Sequence, residues 1–134
     1  MRKIEFRGKS NSNKWVNGYY YANPINCFIL PFNWEISERL DAKIIDKKTL
    51  GQFTGLKDKN GIDIYEGDII KDYDNTLDTG IIEFCCGSFG VYATPPILFY
   101  SLSDIDEEFL NNLEVIGNIY DNPELLTKIN KHAK

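Results

Sequence analysis

Apolar and polar positions alternate with a period of two along much of the chain, the spacing of half-buried strands. Ile4-Glu5-Phe6-Arg7 alternates cleanly, and Trp15-Val16-Asn17-Gly18-Tyr19-Tyr20-Tyr21 is a second, aromatic-rich run. The turn formers from Gly8 to Lys14 lie between them, which predicts an antiparallel pair. Ala22 to Pro31 is less regular. Pro24 and Pro31 lack the amide hydrogen that a central ladder requires, so the segment around Cys27-Phe28-Ile29-Leu30 reads as a loop or an edge. Alternation resumes in Phe32 to Ile36 and Ala42 to Ile45, with at most one helical turn in Ser37 to Leu40.

From Leu50 to Lys71 the chain places Gly51, Gly55, Gly61 and Gly67 among apolar and charged residues. Asn60-Gly61 between apolar stretches predicts a hairpin turn, Ile62 to Tyr65 a strand, Glu66-Gly67-Asp68 a second bend, and Ile69 to Tyr73 another strand. Asp74 to Gly80 is a loop by composition, and β character resumes from Gly80 to Cys85. Gly87-Ser88-Phe89-Gly90 reads as a turn into Val91 to Thr94. This cadence of strand, loop, strand, turn and strand is that of small curled barrels. Pro95-Pro96 stops the ladder, and Ile97 to Leu102 reads as one more short strand or a buried connection. A short helix is predicted over residues 105–112, capped by Ser103 or Asp104. The last strand runs from Glu114 to Tyr120 with Gly117 as a bulge, and a C-terminal helix starts at Asn122-Pro123.

With 134 residues the chain fits one domain large enough to bury a core without staples. Three subregions are expected: an N-terminal β part over 1–46, a glycine-rich β part over 47–126 and a basic tail over 127–134. The aromatic content, eight Tyr and eight Phe, favours strands over helices. The formal charge of −5 is unevenly spread: residues 1–70 carry 11 basic and 9 acidic side chains, 71–127 one basic and 11 acidic, and 128–134 three lysines. A protein that binds by phosphate neutralisation presents a basic face, and this chain lacks one overall. Arg2, Lys3, Arg7, Lys9 and Lys14 gather at one end if the first strands pair, although charges on an edge also simply discourage aggregation.

Three cysteines, Cys27, Cys85 and Cys86, argue against a secreted disulfide framework. No apolar stretch follows Met1-Arg2-Lys3, and none approaches the roughly 18 residues a spanning helix needs, so a cytoplasmic protein with no membrane partner is expected.

Candidate chemistry is sparse. The sole histidine, His132, lies in the last three residues, where chain ends fray, and no His/Cys cluster has zinc-ligand spacing. Cys85 and Cys86 point to opposite faces if they lie on a strand, one buried and one exposed, and Glu83 nearby disfavours a thiolate nucleophile. No phosphate-cradling glycine motif precedes a helix. Asp58, Asp63, Glu66 and Asp68 fail calcium-loop spacing and read as turn acceptors, and the acids at 104–108 suit a helix start. No catalytic, cofactor or metal residues are assigned, so the expectation is a non-enzyme without cofactors. The candidate binding residues are Trp15, Tyr19, Tyr21, Arg2 and Arg7, because aromatic side chains flanked by cations serve either a protein interface or stacking on unpaired bases.

Two segments also resemble the signature of the YopX family of phage and prophage proteins from low-GC Gram-positive bacteria. They are Thr49 to Gly61 running into Ile64-Tyr65-Glu66-Gly67-Asp68-Ile69-Ile70, and Glu114 to Leu126. The opening Ile4 to Arg7 with Trp15-Val16-Asn17-Gly18 is similar to that family's start. The resemblance implies a mainly β fold with short helices, built on an SH3-like half-barrel with N-terminal strand additions and a short C-terminal helix. It also implies self-association, and it carries over no catalytic residues. The functional expectation is a phage accessory protein acting as a homo-oligomer or by binding a host or phage protein. A nucleic-acid-associated small barrel in phage replication or regulation is the alternative.

Overall fold

A computed structural model describes residues 3–31, 42–72, 79–94, 98–102 and 107–128. The predictions for Phe32 to Leu40, the loop at 74–78 and the helix cap at 103–104 lie outside them, as does His132. The fold is mainly β, and it divides into two compact units, Met1–Gly55 and Leu56–Lys134.

Unit 1 is an antiparallel sheet of β1 (Phe6–Lys9), β2 (Trp15–Ala22), β3 (Cys27–Leu30), β4 (Lys43–Ile45) and the first part of β5 (Gly51–Lys57), in the order β4-β3-β2-β1-β5. The predicted pairing of the first two strands is borne out, with Phe6 opposite Gly18 and Lys9 opposite Trp15. The loop-or-edge reading of 22–31 is corrected. Cys27 to Leu30 pairs with β2 on one side and β4 on the other, because both prolines fall just beyond the strand and leave its ladder amides intact. Cys27, Ile29 and Ile45 form the core, with Phe6, Val16, Tyr20 and Leu50 packed against it. Gly18 is fixed by close approach: a Cβ there would collide with the Leu30 carbonyl oxygen and its carbon.

Unit 2 opens with a hairpin between β5 and β6 (Asp63–Tyr65). Its turn is the predicted one, closed by Gly61 N–H to the Asp58 carbonyl (3.0 Å) and Asp58 N–H to the Ile62 carbonyl (2.8 Å), with Gly61 at φ 78°. Then come β7 (Asp68–Asp72), β8 (Thr79–Cys85), β9 (Ser88–Thr94), β10 (Leu98–Ser101), one turn of α1 (Glu107–Leu110) and β11 (Leu113–Asn118). The sheet order is β10-β9-β8-β7-β11, antiparallel throughout and open at both edges, so the expected curled barrel does not close.

This sheet is packed on both faces. Ile70, Ile82, Val91 and Leu113 belong to one apolar cluster, whereas Ile69 and Ile81 belong to another that also takes in Tyr92, Ile116, Leu125 and Leu126. Adjacent residues on a strand point to opposite faces, so the doublets Ile69-Ile70 and Ile81-Ile82 are what a doubly covered sheet requires.

Further elements differ from the sequence expectations. The turn expected at Gly87–Gly90 is made by Cys86 and Gly87 (φ 57° and 88°), and Ser88, Phe89 and Gly90 are strand residues. Two successive positive φ values make the tight turn that matches strand twist. Of the helix predicted over 105–112, residues 105–106 lie outside the described residues; the described turn Glu107–Leu110 ends two residues early, because Leu113 must enter the ladder opposite Asp72. The C-terminal helix is a 3-10 turn, Pro123–Lys128, that lays Leu125 and Leu126 on the Ile69 and Ile81 face. The bulge is where it was expected, between Val115 and Gly117.

Asp58 holds the hairpin to the rest of unit 2. It is 6% exposed; one carboxylate oxygen accepts from Asn60 N–H (2.8 Å) and Ile62 N–H (2.9 Å), and the other from Val115 N–H (2.9 Å). Asp58→Ala would leave three amides without their acceptor and is expected to lower the unfolding free energy by on the order of 3 kcal/mol in urea titration. Asp58→Asn should restore only part of it, since its NH2 must face an N–H. Gly18→Ala is expected to cost about 1–3 kcal/mol in the same assay, because the clash is with backbone and no rotamer relieves it.

Candidate interaction surface

Alternation on β2 sends Trp15, Asn17, Tyr19 and Tyr21 to the outer face of unit 1 while Val16, Gly18 and Tyr20 face the core. Register then determines the neighbours of each outward residue. Tyr19 lies opposite Leu30, and Tyr21 opposite Phe28, which in turn lies opposite Ile44. The result is a row of side chains crossing three strands, with Tyr19, Tyr21 and Ile44 exposed by 53%, 55% and 39%. Tyr21 and Phe28 are in ring contact at 5.9 Å.

At the other end of β2 the face becomes cationic. The Arg7 guanidinium sits 4.6 Å from the centre of the Trp15 ring and the Lys9 ammonium 5.4 Å from it. The ring's negative face attracts both cations, which holds them side by side despite their repulsion. Lys9 also donates to Asn13 (3.2 Å). Glu5 is buried on this face, ion-paired with Lys3 at 2.9 Å and accepting from Asn17 at 3.2 Å.

Two open depressions flank the row. One of about 600 Å³ is lined by Ser10, Ser12, Lys14, Trp15, Lys43 and Ile44 among others; a second of about 220 Å³ lies between Tyr21, Asn23, Phe28, Leu30 and Ala42. Among the described residues that line them there is no carboxylate.

Of the candidate binding residues, Trp15, Tyr19, Tyr21 and Arg7 share this face, with Arg7 stacked on Trp15, and Arg2 lies outside the described residues. Tyr19 and Tyr21 stand toward the far end of the strand from Trp15, at roughly 3.3 Å per residue. Phe28, Leu30 and Ile44 extend the surface beyond the candidates, and Lys9 is one of the basic residues expected at this end. The alternation in Cys27 to Leu30 was the signal for Phe28 and Leu30.

Asp58 and Asp68 spend their oxygens on backbone amides, Asp68 accepting from Tyr65 N–H at 2.8 Å, as the turn-acceptor reading expects. Among the described residues no group of three or more His, Cys, Asp or Glu could hold a metal ion, and no helix is long and apolar enough to cross a membrane. Counted by unit, residues 1–55 carry nine Lys and Arg against five Asp and Glu, a net +4, and residues 56–134 carry six against fifteen, a net −9.

Beneath the face, the Tyr20 hydroxyl and the Cys27 sulfur are 3.6 Å apart, tying β2 to β3. This bond, assisted by burial, raises the Tyr20 pKa above its ordinary value of about 10. A raised pKa means that the folded state retains the proton. The stabilisation is therefore complete below about pH 10 and lost as pH rises through the higher folded value.

A family model described as YopX protein matches residues 5–127. Among solved structures, the chain is similar to the crystal structure of protein EF1440 from Enterococcus faecalis, with a TM-score of 0.55 and 24% identity, covering 94% of this chain and 99% of that one. At that identity the likeness concerns the fold. No curated protein matches the chain.

Tyr20→Phe is expected to cost about 1 kcal/mol at neutral pH, with the gap to the parent closing above about pH 10 in paired urea titrations. Tyr19→Ser, two strand faces apart in consequence though adjacent in sequence, should change stability by less than about 0.5 kcal/mol.

Proposed function

The chain belongs to the YopX protein family, and from that premise we propose that it is a non-enzymatic phage or prophage accessory protein of the bacterial cytoplasm that associates with itself through the outer sheet face of unit 1. The observation that carries this reading is the exposed row Tyr19, Tyr21 and Ile44 with half-buried Phe28 and Leu30. Tyrosine and other aromatic residues are enriched at the centres of protein interfaces, and contiguous apolar area on a small protein marks an interaction surface. Cations at one end of the row supply a polar rim, and the shared face lets one patch meet its own copy about a two-fold axis. In favour of a binding role, the described residues that line the two depressions include no acid–base pair.

Sedimentation velocity tests this directly. The parent chain should run heavier than its 15.4 kDa monomer, and Tyr21→Glu or Ile44→Asp should shift it to monomer while leaving the circular dichroism spectrum unchanged. A parent that stays monomeric at all concentrations would overturn the reading.

A second reading, binding of single-stranded nucleic acid, is favoured by one feature: the +4 net charge of unit 1 with Arg7 and Lys9 held over Trp15. Filter retention of an oligonucleotide at low salt, falling steeply as salt rises and weakened by Arg7→Glu, is the expected outcome under that reading. Absence of retention at low salt would remove it.

A further inference from the structure

Cys85 ends β8 and Cys86 begins the two-residue turn into β9, with Cys85 opposite Ser88 as the last pair of the hairpin. On a continuous strand two neighbours would point to opposite faces. Here Cys86 adopts φ 57°, which swings its side chain back, and the two sulfurs lie 3.0 Å apart with both residues exposed. The expectation of one buried and one exposed cysteine is thereby corrected, because the strand ends before Cys86.

The residue at that turn position is unusual. A left-handed backbone costs an ordinary L-residue roughly 1–2 kcal/mol, and glycine or asparagine normally fills such positions. Cysteine brings no turn advantage to offset that cost. It brings a second thiol beside the first. Residues held in costly backbone conformations concentrate where the conformation has a use.

We propose that Cys85 and Cys86 form a redox-active vicinal dithiol that small-molecule disulfides oxidise to an intramolecular disulfide. In the first step one cysteine, as thiolate, attacks a sulfur of the small disulfide RSSR; a protein–S–SR bond forms and RS⁻ leaves. The neighbouring thiolate then attacks the protein sulfur of that mixed disulfide and expels the second RS⁻. The protein loses two electrons and two protons, and RSSR becomes two RSH. Both steps need only the two groups already in contact, and the 3.0 Å gap is about 1 Å longer than the ~2.05 Å of the bond to be made. Adjacent Cα atoms stand about 3.8 Å apart, closer than the usual ~4.4–6.8 Å across a disulfide, so the ring is strained and easily reduced. That is the property of a reversible switch.

The full chain, reduced and then freed of reductant, is incubated with excess oxidised glutathione, blocked with N-ethylmaleimide and weighed intact and after digestion. The expected product is a monomer lighter by two hydrogens, with the peptide holding Cys85 and Cys86 unblocked and carrying no glutathione. Cys85→Ser and Cys86→Ser should each instead retain one glutathione at the remaining tip cysteine, since no neighbour resolves the mixed disulfide. Dithiothreitol should restore two blockable thiols. The proposal is overturned if the parent keeps both tip thiols blockable, stops at a glutathione adduct, or yields only disulfide-linked dimers. Buried Cys27 serves as the internal reference for access.

Discussion

The carboxylate of Asp58 is the joint on which the order of unit 2 depends. A carboxylate is acceptor-only with about four lone-pair directions, so one buried side chain can receive three backbone amides that no strand partner supplies. Two of them close the hairpin and the third starts β11, which binds a local turn to a strand more than fifty residues later. Burying a charge is costly unless such bonds surround it, and here they do. The joint is reinforced on either side by Lys59 N–H to the Leu113 carbonyl at 3.0 Å and by Asn60 to Glu114 at 3.1 Å. β11 then runs antiparallel to β7 as far as Asn118, opposite Asp68.

Gly67 closes the same seam at its other end. Its N–H donates to Ile82 and its carbonyl accepts from Ile119, each at 2.9 Å, and the Tyr120 ring lies over the place a Cβ would occupy, 3.0 Å away. Within unit 2, Asp58 to Ile70 and Glu114 to Tyr120, parts of the two stretches that carry the family resemblance, are therefore physical partners rather than two independent motifs. Asn118 accepts from Tyr120 and Asp121, and Asn122 from Asn118, which turns the chain into the final 3-10 segment. A pattern this closely tied to backbone closure identifies a fold, and that is why a family signature can be specific without naming a reaction.

The same physics decides what was legible in the sequence. Alternation and turn chemistry located most strands, because both are local: Asn60-Gly61, the Gly117 bulge and the first antiparallel pair need only their neighbours. The interior position of β3 was not legible, because prolines at 24 and 31 say where a ladder cannot continue and nothing about how many strands lie beyond it. Ile69-Ile70 and Ile81-Ile82 break strict alternation since both sheet faces are covered, a property of tertiary packing that no window along the chain contains. The turn at Cys86-Gly87 was displaced by two residues because cysteine carries no turn propensity. Of the candidate surface, the residues on β1 and β2 were found from the sequence, whereas Phe28, Leu30 and Ile44 required the register that places them beside Tyr21 and Tyr19.

That division also separates scaffold from surface. The acidic unit, net −9, uses several of its carboxylates and side-chain amides to satisfy its own backbone, and its buried apolar residues pack on two faces of one sheet, while Ile62 and Phe84 stay exposed. Among its described residues the basic unit has a small core of Cys27, Ile29 and Ile45, and on the opposite side of β2 Tyr19 and Tyr21 are exposed and Trp15 half-buried. A tyrosine costs little in side-chain entropy when fixed and offers both a ring and a hydroxyl, so an exposed tyrosine row has more to gain from contact than from solvent. Tyr19, Tyr20 and Tyr21 are three consecutive residues of one type; the pleat alone sends the middle one to the core, where its hydroxyl meets Cys27, and its neighbours outward. Composition put the aromatics on this strand, and geometry turned one to the core and left two exposed.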